Sequence, residues 1–325
     1  MVGKALTETG GDLGPGTLAT ADVGVQTIAT TTLLTARYLM GYAAGVGDTN
    51  PAYYDDTQEK GVMAHPGVCF SLQWKSRFKP DRAPNLRAAP YGVHASTDLR
   101  LHRPFCMGDA ITTQGSIQSM RQIPPGVFVV DRYRMTDSTG ALVAELDYNG
   151  ITRGATLDCQ ETLVEQPGLE PVSPPHPKSA LPAKPLWRQR LEVSAFAAQQ
   201  YTECAQIYNP IHTEPSVALA AGLPDIILHG SATQSMALST LIQREFAGDA
   251  RRITRVCGQL RAMVLMNSSI EVECLGVERD ANSKRAFYQV RNAQGQLAIA
   301  KGVVVGTTES AGNSDLVAGA PAVDG

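Results

Sequence analysis

Two stretches of the chain hold side chains able to move a proton and steady a negative oxygen. In the later one, Tyr208-Asn209-Pro210-Ile211-His212 is followed by Leu228-His229-Gly230. An imidazole titrates near neutrality, so His212 can act first as base and then as acid. Gly230, directly after His229 and at the expected start of a helix, offers backbone N–H groups to a developing oxyanion with no Cβ in the way. Asn209 would fix the loop or the reacting side chains through its amide. The earlier stretch, Gly47-Asp48-Thr49-Asn50-Pro51-Ala52-Tyr53, carries a carboxylate and a phenol, and Ala64-His65-Pro66-Gly67 follows it. Each residue also has a plain structural use. Asp48 can cap a turn, His212 can cap or edge a core, His65 and His229 can shape the turn before a helix, Tyr53 can pack, and the Asn-Pro pairs can be turn formers. His94, His102 and His176 fall on a strand-like segment or in a linker, where no chemistry is read.

The same order of elements surrounds both stretches. Residues 35–45 and 194–205 read as short helices, each leading to an Asn-Pro loop, a His-containing turn and a longer helix. Phe70, Trp74 and Phe78 give the first long helix its apolar stripe; Leu238, Leu241 and Ile242 serve the second. Strands follow: 127–136 and 141–153 in the first half, and 258–266, 269–278, 285–291 and 296–307 in the second. Ile270, Val272 and Cys274 alternate with Glu271 and Glu273, the period of a half-exposed antiparallel strand. Tyr42 and Tyr201 are 159 positions apart, as are Asn50 and Asn209, and Pro51 and Pro210. That shared offset, set inside one order of elements, points to a duplicated α+β unit. Glu165 to Pro185, with seven prolines in 21 residues, reads as an extended linker. The expected organisation is a first domain over 20–164, a linker over 165–185 and a second domain over 186–310, with loosely held ends.

Composition narrows the function. The chain has 325 residues with 28 basic against 31 acidic side chains, a net charge of −3 that argues against a general nucleic-acid binder. Its apolar runs are too short for a bilayer-spanning helix, and its start lacks the apolar core of a secretory signal. Six dispersed cysteines suit a reducing compartment, so a cytoplasmic protein is expected.

The run from Tyr208 to Gly230 resembles the hydratase motif of MaoC-like proteins, the hot-dog-fold (R)-specific enoyl-CoA hydratases and dehydratases. The tandem order resembles the double hot-dog enzymes of the hydratase 2 type. The resemblance implies an α+β tandem hot-dog, each half an antiparallel sheet wrapped around a central helix, with the two sheets joined edge to edge. It implies a hydro-lyase acting on an enoyl- or 3-hydroxyacyl-thioester of CoA or an acyl carrier, as a homodimer of double hot-dogs. Alternatives are a non-catalytic thioester-binding subunit and a hot-dog thioesterase or natural-product tailoring enzyme. The implied catalytic residues are His212, Asn209, Gly230 and Asp48, with Ile207, His229, Tyr53, His65 and Gly67 binding substrate. No metal and no cofactor beyond the substrate's own thioester arm is implied. The family's motif reads G-D-x-N-P-aliphatic-H, and neither half completes it: Ile207 stands where the Asp belongs, and Tyr53 where the His belongs. Glu203, one turn before Ile207, is the nearest replacement carboxylate. Lys75, Arg77, Lys79, Arg82 and Arg87, or Arg251, Arg252, Arg255 and Arg261, could receive the arm's phosphates.

Overall fold

The computed structural model describes residues 16–59, 61–78, 92–168 and 172–308. In each half a short helix precedes a further helix that leads into the sheet. Ala36–Gly45 (α1) starts at Thr35, whose hydroxyl accepts the Tyr38 N–H. In the first half Val68–Lys75 (α2) follows. Ala197–Ala205 (α3) is the short helix of the second half and ends at Gln206, which is left-handed at φ 57°. Pro215–Ala220 (α4) and the long Gly230–Glu245 (α5) come next. Both Asn-Pro loops are single 3-10 turns, in which the Asn50 and Asn209 amide oxygens accept the N–H of Ala52 and Ile211. Proline fits the first position of such a turn, where no N–H is needed.

The first-half strands are Thr17–Leu18 (β1), Thr30–Leu33 (β2), Gly92–Leu101 (β3), Ala110–Ile123 (β4), Gly126–Thr136 (β5), Leu142–Arg153 (β6), Thr156–Leu157 (β7) and Leu163–Glu165 (β8). The second half adds Trp187–Val193 (β9), Ile253–Leu260 (β10), Ser268–Arg279 (β11), Ser283–Asn292 (β12) and Leu297–Thr307 (β13). They form one antiparallel sheet in the order β2-β4-β5-β6-β3-β10-β13-β12-β11-β9, with β8 beside β4; β1 and β7 pair separately. The order of the first half reappears reversed in the second, which is how a two-fold repeat joins through one edge. The join is β3 on β10, with Leu99 opposite Val256 and Thr97 opposite Gly258. Each half is therefore a hot-dog, and the pair forms the expected double hot-dog.

Residues related by the repeat touch only near its axis. The hydroxyls of Tyr42 and Tyr201 lie 3.1 Å apart there. Gly45 faces its own counterpart Cys204, and a Cβ on Gly45 would lie 2.6 Å from the Cys204 Cβ, so glycine is what lets α1 and α3 cross closely. On the outer sheet face, Asp147 takes Arg132 at 2.7 Å and Arg100 at 3.1 Å, while Asp98 takes Arg255 at 2.6 Å across the join.

Two expected elements differ. The strand read at 258–266 runs instead from Ile253 to Leu260. Ile253 and Val256 are buried while Arg255 pairs outward with Asp98, so this one arginine of the expected phosphate-binding cluster is on the outer face of a strand. The helix meant to carry Phe70, Trp74 and Phe78 stops at Lys75. The Ser76 hydroxyl binds the Thr27 hydroxyl at 2.6 Å and the Ile28 carbonyl at 3.1 Å, and Phe78 follows beyond the helix end. The proline-rich segment crosses the second half, its Lys178 N–H donating to Glu278 and Leu181 packing over Gly276. Residues 1–15 and 309–325, most of the ends expected to be loosely held, as well as Lys79, Arg82 and Arg87, lie outside the described residues. Among the described residues no helix is long and apolar enough to cross a membrane.

Candidate active site

The second-half site is assembled by two consecutive turns. Left-handed Gln206 ends α3 and turns the buried Ile207 inward; Asn209 then caps the turn that holds His212. The Nδ1 of His212 lies 2.8 Å from the Ile227 carbonyl oxygen. A carbonyl only accepts, so Nδ1 carries the proton and Nε2 is left as the basic nitrogen. The His229 ring stacks on His212 at 3.7 Å and 26°, with its Nε2 3.3 Å from the Thr202 hydroxyl and its buried Nδ1 without a partner. Burial lowers His212 to about 4, with the Ile227 carbonyl opposing, and burial with the adjacent His212 lowers His229 further. Both rings are neutral near pH 7.

Gly230 begins α5. Thr233 is the residue whose N–H reaches back to the His229 carbonyl, so the N–H groups before it face out of the helix start. A Cβ at Gly230 would lie 2.0 Å from a Leu260 methyl, which ties the glycine to the approach of β10. Ile207, Asn209, His212, His229 and Gly230 all line one cavity of about 790 Å³. Its walls continue into the first half through Phe70, Trp74, Phe78, Ile117 and Met120.

The first-half counterpart is elsewhere. Asp48 accepts the Asn50 N–H at 2.9 Å and lines a separate cavity of about 840 Å³ with Gln243 and Arg251. Tyr53 is fully buried against His65, its hydroxyl unpartnered. His65 is lowered to about 4 by burial, with Asp48 opposing. Its Nδ1 accepts the Gly67 N–H at 3.0 Å, and its Nε2 meets the Ser239 hydroxyl at 3.1 Å. A Cβ at Gly67 would lie 2.5 Å from the Ser235 hydroxyl and 2.6 Å from the Tyr42 hydroxyl. The donor and the space that a thioester oxygen would need are therefore occupied in this half.

Residues 178–296 match the MaoC like domain, and residues 21–146 match the FAS1-like dehydratase domain region. A UPF0336 protein of Streptomyces griseus is 30% identical over 109 residues, spanning 31% of this chain and 72% of that protein. The chain belongs to the MaoC-like dehydratase family. The crystal structure of a MaoC-like dehydratase from Phytophthora capsici superposes with a TM-score of 0.73 at 21% identity, covering 89% of this chain and 98% of that one. A 3-hydroxyacyl-thioester dehydratase X of Mycobacterium tuberculosis is 27% identical over 157 residues, 48% of this chain and 51% of that protein.

In this MaoC-like protein the predicted site residues fall into two groups. Ile207, Asn209, His212, His229 and Gly230 meet; Asp48, Tyr53, His65 and Gly67 form the first-half counterpart. Glu203 does not replace the missing carboxylate, since it lies on the exposed side of α3. Arg251, Arg252 and Arg255 are held by Asp249, by the Thr307 carbonyl and by Asp98, and the guanidinium of Arg261, exposed at the cavity rim, donates only to the Gln259 side chain among the described residues. Two residues that the sequence reading passed over also line the cavity. His94 reaches it from β3: its Nε2 lies 2.9 Å from the Thr97 hydroxyl, its ring stacks on Tyr148 at 3.8 Å, and its Nδ1 is buried without a partner. That Nδ1 lies 3.5 Å from where a Gly230 Cβ would be, and burial pushes the ring down to about 3. Asp131 comes from β5. Both reach the site through strand pairing, which no local sequence signal marks. Among the described residues no group of three His, Cys, Asp or Glu side chains is placed to hold a metal.

Proposed function

We propose that this MaoC-like protein is a hydro-lyase, hydrating an enoyl-thioester or dehydrating a 3-hydroxyacyl-thioester at the second-half site. The observation that carries this reading is the fixed tautomer of His212, which leaves a basic Nε2 in the cavity that also holds the start of α5. In hydration, the water oxygen bonds to Cβ while its proton passes to Nε2. The electron pair moves to the thioester oxygen, held by the Gly230 N–H. The imidazolium then returns a proton to Cα, so one water is added and His212 ends as it began. Dehydration is the reverse. With the Thr97 hydroxyl donating to Nε2, His94 Nδ1 carries a proton and serves as a second donor beside Gly230. Arg261 at the rim suits the phosphates of a CoA or carrier arm. The apolar first-half walls take the acyl chain, in line with the name of the mycobacterial relative, a 3-hydroxyacyl-thioester dehydratase.

Incubating the protein with crotonyl-CoA should remove the enoyl absorbance without releasing free thiol. Thiol release instead identifies a thioesterase, and saturable binding with neither change identifies a binding subunit.

A further inference from the structure

Within the acyl-chain part of the cavity, one acidic side chain has no partner among the described residues. Asp131 lies on the helix-facing side of β5, in a row with Ile117 of β4, Tyr148 of β6 and Thr97 of β3. Its Oδ1 is buried without a partner, and among the described residues no hydrogen bond or ion pair reaches the carboxyl group. The neighbouring Arg132 points to the opposite face, where Asp147 holds it. Burial alone pushes the carboxyl up to about 7, so both of its forms are accessible near neutral pH. Asp131 sits away from the proposed reacting groups: neighbouring strands lie roughly 5 Å apart, so it is about 10 Å from Thr97 of β3, with Tyr148 between.

An unpaired carboxyl group in an apolar channel is costly, and a plain alkyl chain filling the channel would strip away its last water. We infer that the acyl chain this site accepts carries a hydroxyl group at the depth of Asp131, and that Asp131 is its hydrogen-bond partner and selects for it. A hydroxyl suits both forms of the acid, since it donates to the carboxylate and both donates to and accepts from the protonated group. A keto oxygen suits only the protonated form. Discrimination of this kind is strong because the analogue that lacks the hydroxyl leaves a buried polar group unsatisfied. The inference rests on the hydro-lyase reading for the identity of the thioester, and on the cavity alone for the selectivity.

The test uses enoyl-CoA thioesters of one chain length, one unsubstituted and the others with a single hydroxyl moved stepwise along the chain. The wild-type protein should favour one hydroxylated isomer over the plain chain by about tenfold to a hundredfold in kcat/KM. Asp131→Leu should abolish that ratio, and Asp131→Asn should keep part of it; a ratio within each variant cancels any general loss of activity. Equal use of all isomers by the wild type, or a preference that survives in Asp131→Leu, overturns the inference. If no thioester is turned over, crotonyl-CoA included, the hydro-lyase reading has failed, and the same ratios are read as Kd by calorimetry. Selective binding that Asp131→Leu removes then sustains the role of Asp131, and indifferent binding overturns it.

Discussion

At the scale of single residues, the proposed mechanism relies on one histidine in an apolar setting where the family motif has an acid–base pair. Ile207 gives His212 no charge, and burial keeps the ring neutral down to about pH 4. The Ile207→Asp variant places a carboxylate where the family motif has one. An adjacent negative charge favours imidazolium, so the acid limb of the pH–rate profile for kcat/KM should move up towards neutrality. An unmoved limb would mean that the two side chains do not face each other. His94→Ala should lower kcat by roughly two orders of magnitude, the usual effect of one oxyanion donor, with KM changing far less. A loss confined to KM would assign His94 to chain binding instead. The motif residues were legible because their chemistry is local: Asn209, His212 and Gly230 lie within one short stretch. His94 was not, because its value comes from Gly230, which meets it only when β3 lies beside β10.

At the scale of elements, the repeat could be read where equivalent residues kept their identity. Tyr42 and Tyr201 share an offset and meet near the axis, where each hydroxyl touches the other and also a serine of α5. The edge strand β2 and the 14-residue β4 were not legible, since their Thr- and Gln-rich sequences lack a clean apolar alternation, and β9 alternates Trp187, Leu191 and Val193 with Arg188, Arg190 and Glu192 over only seven residues. The join has a direct consequence. Without the first half, β10 loses β3 and shows an unpaired edge, and Arg255 loses Asp98. Residues 186–325 produced alone should therefore self-associate or precipitate in sedimentation experiments, and a well-behaved monomer would contradict the importance of this edge.

At the scale of the whole molecule, duplication has left two related sites with different contents: one holds the histidine pair over an open cavity, the other holds Asp48 and a filled oxyanion position. Four histidines, three of them buried and His94 partly so, also couple the fold to pH. His65, His94, His212 and His229 are all held well below their ordinary 6.5. The unfolded chain takes up these protons below about pH 6.5, while the folded one resists until near pH 4 or lower, so stability falls as pH drops through that window. Asp131 acts in the opposite sense between about 4 and 7, one group against four. Roughly 1.4 kcal/mol per tenfold change in proton affinity makes the net loss several kcal/mol. Urea midpoints should be clearly lower at pH 5 than at pH 7; equal midpoints would show that these rings are not buried neutral. The account's central claim is that water is added or removed at His212, with no carboxylate partner, and that Asp48 takes no part. The most direct test compares crotonyl-CoA hydration by His212→Gln and Asp48→Asn with that of the wild type, both variants first shown to be folded. His212→Gln should lose roughly two to four orders of magnitude in kcat, with Asp48→Asn staying within a few-fold of wild type. An active His212→Gln together with an inactive Asp48→Asn would contradict the account and move the chemistry to the first half.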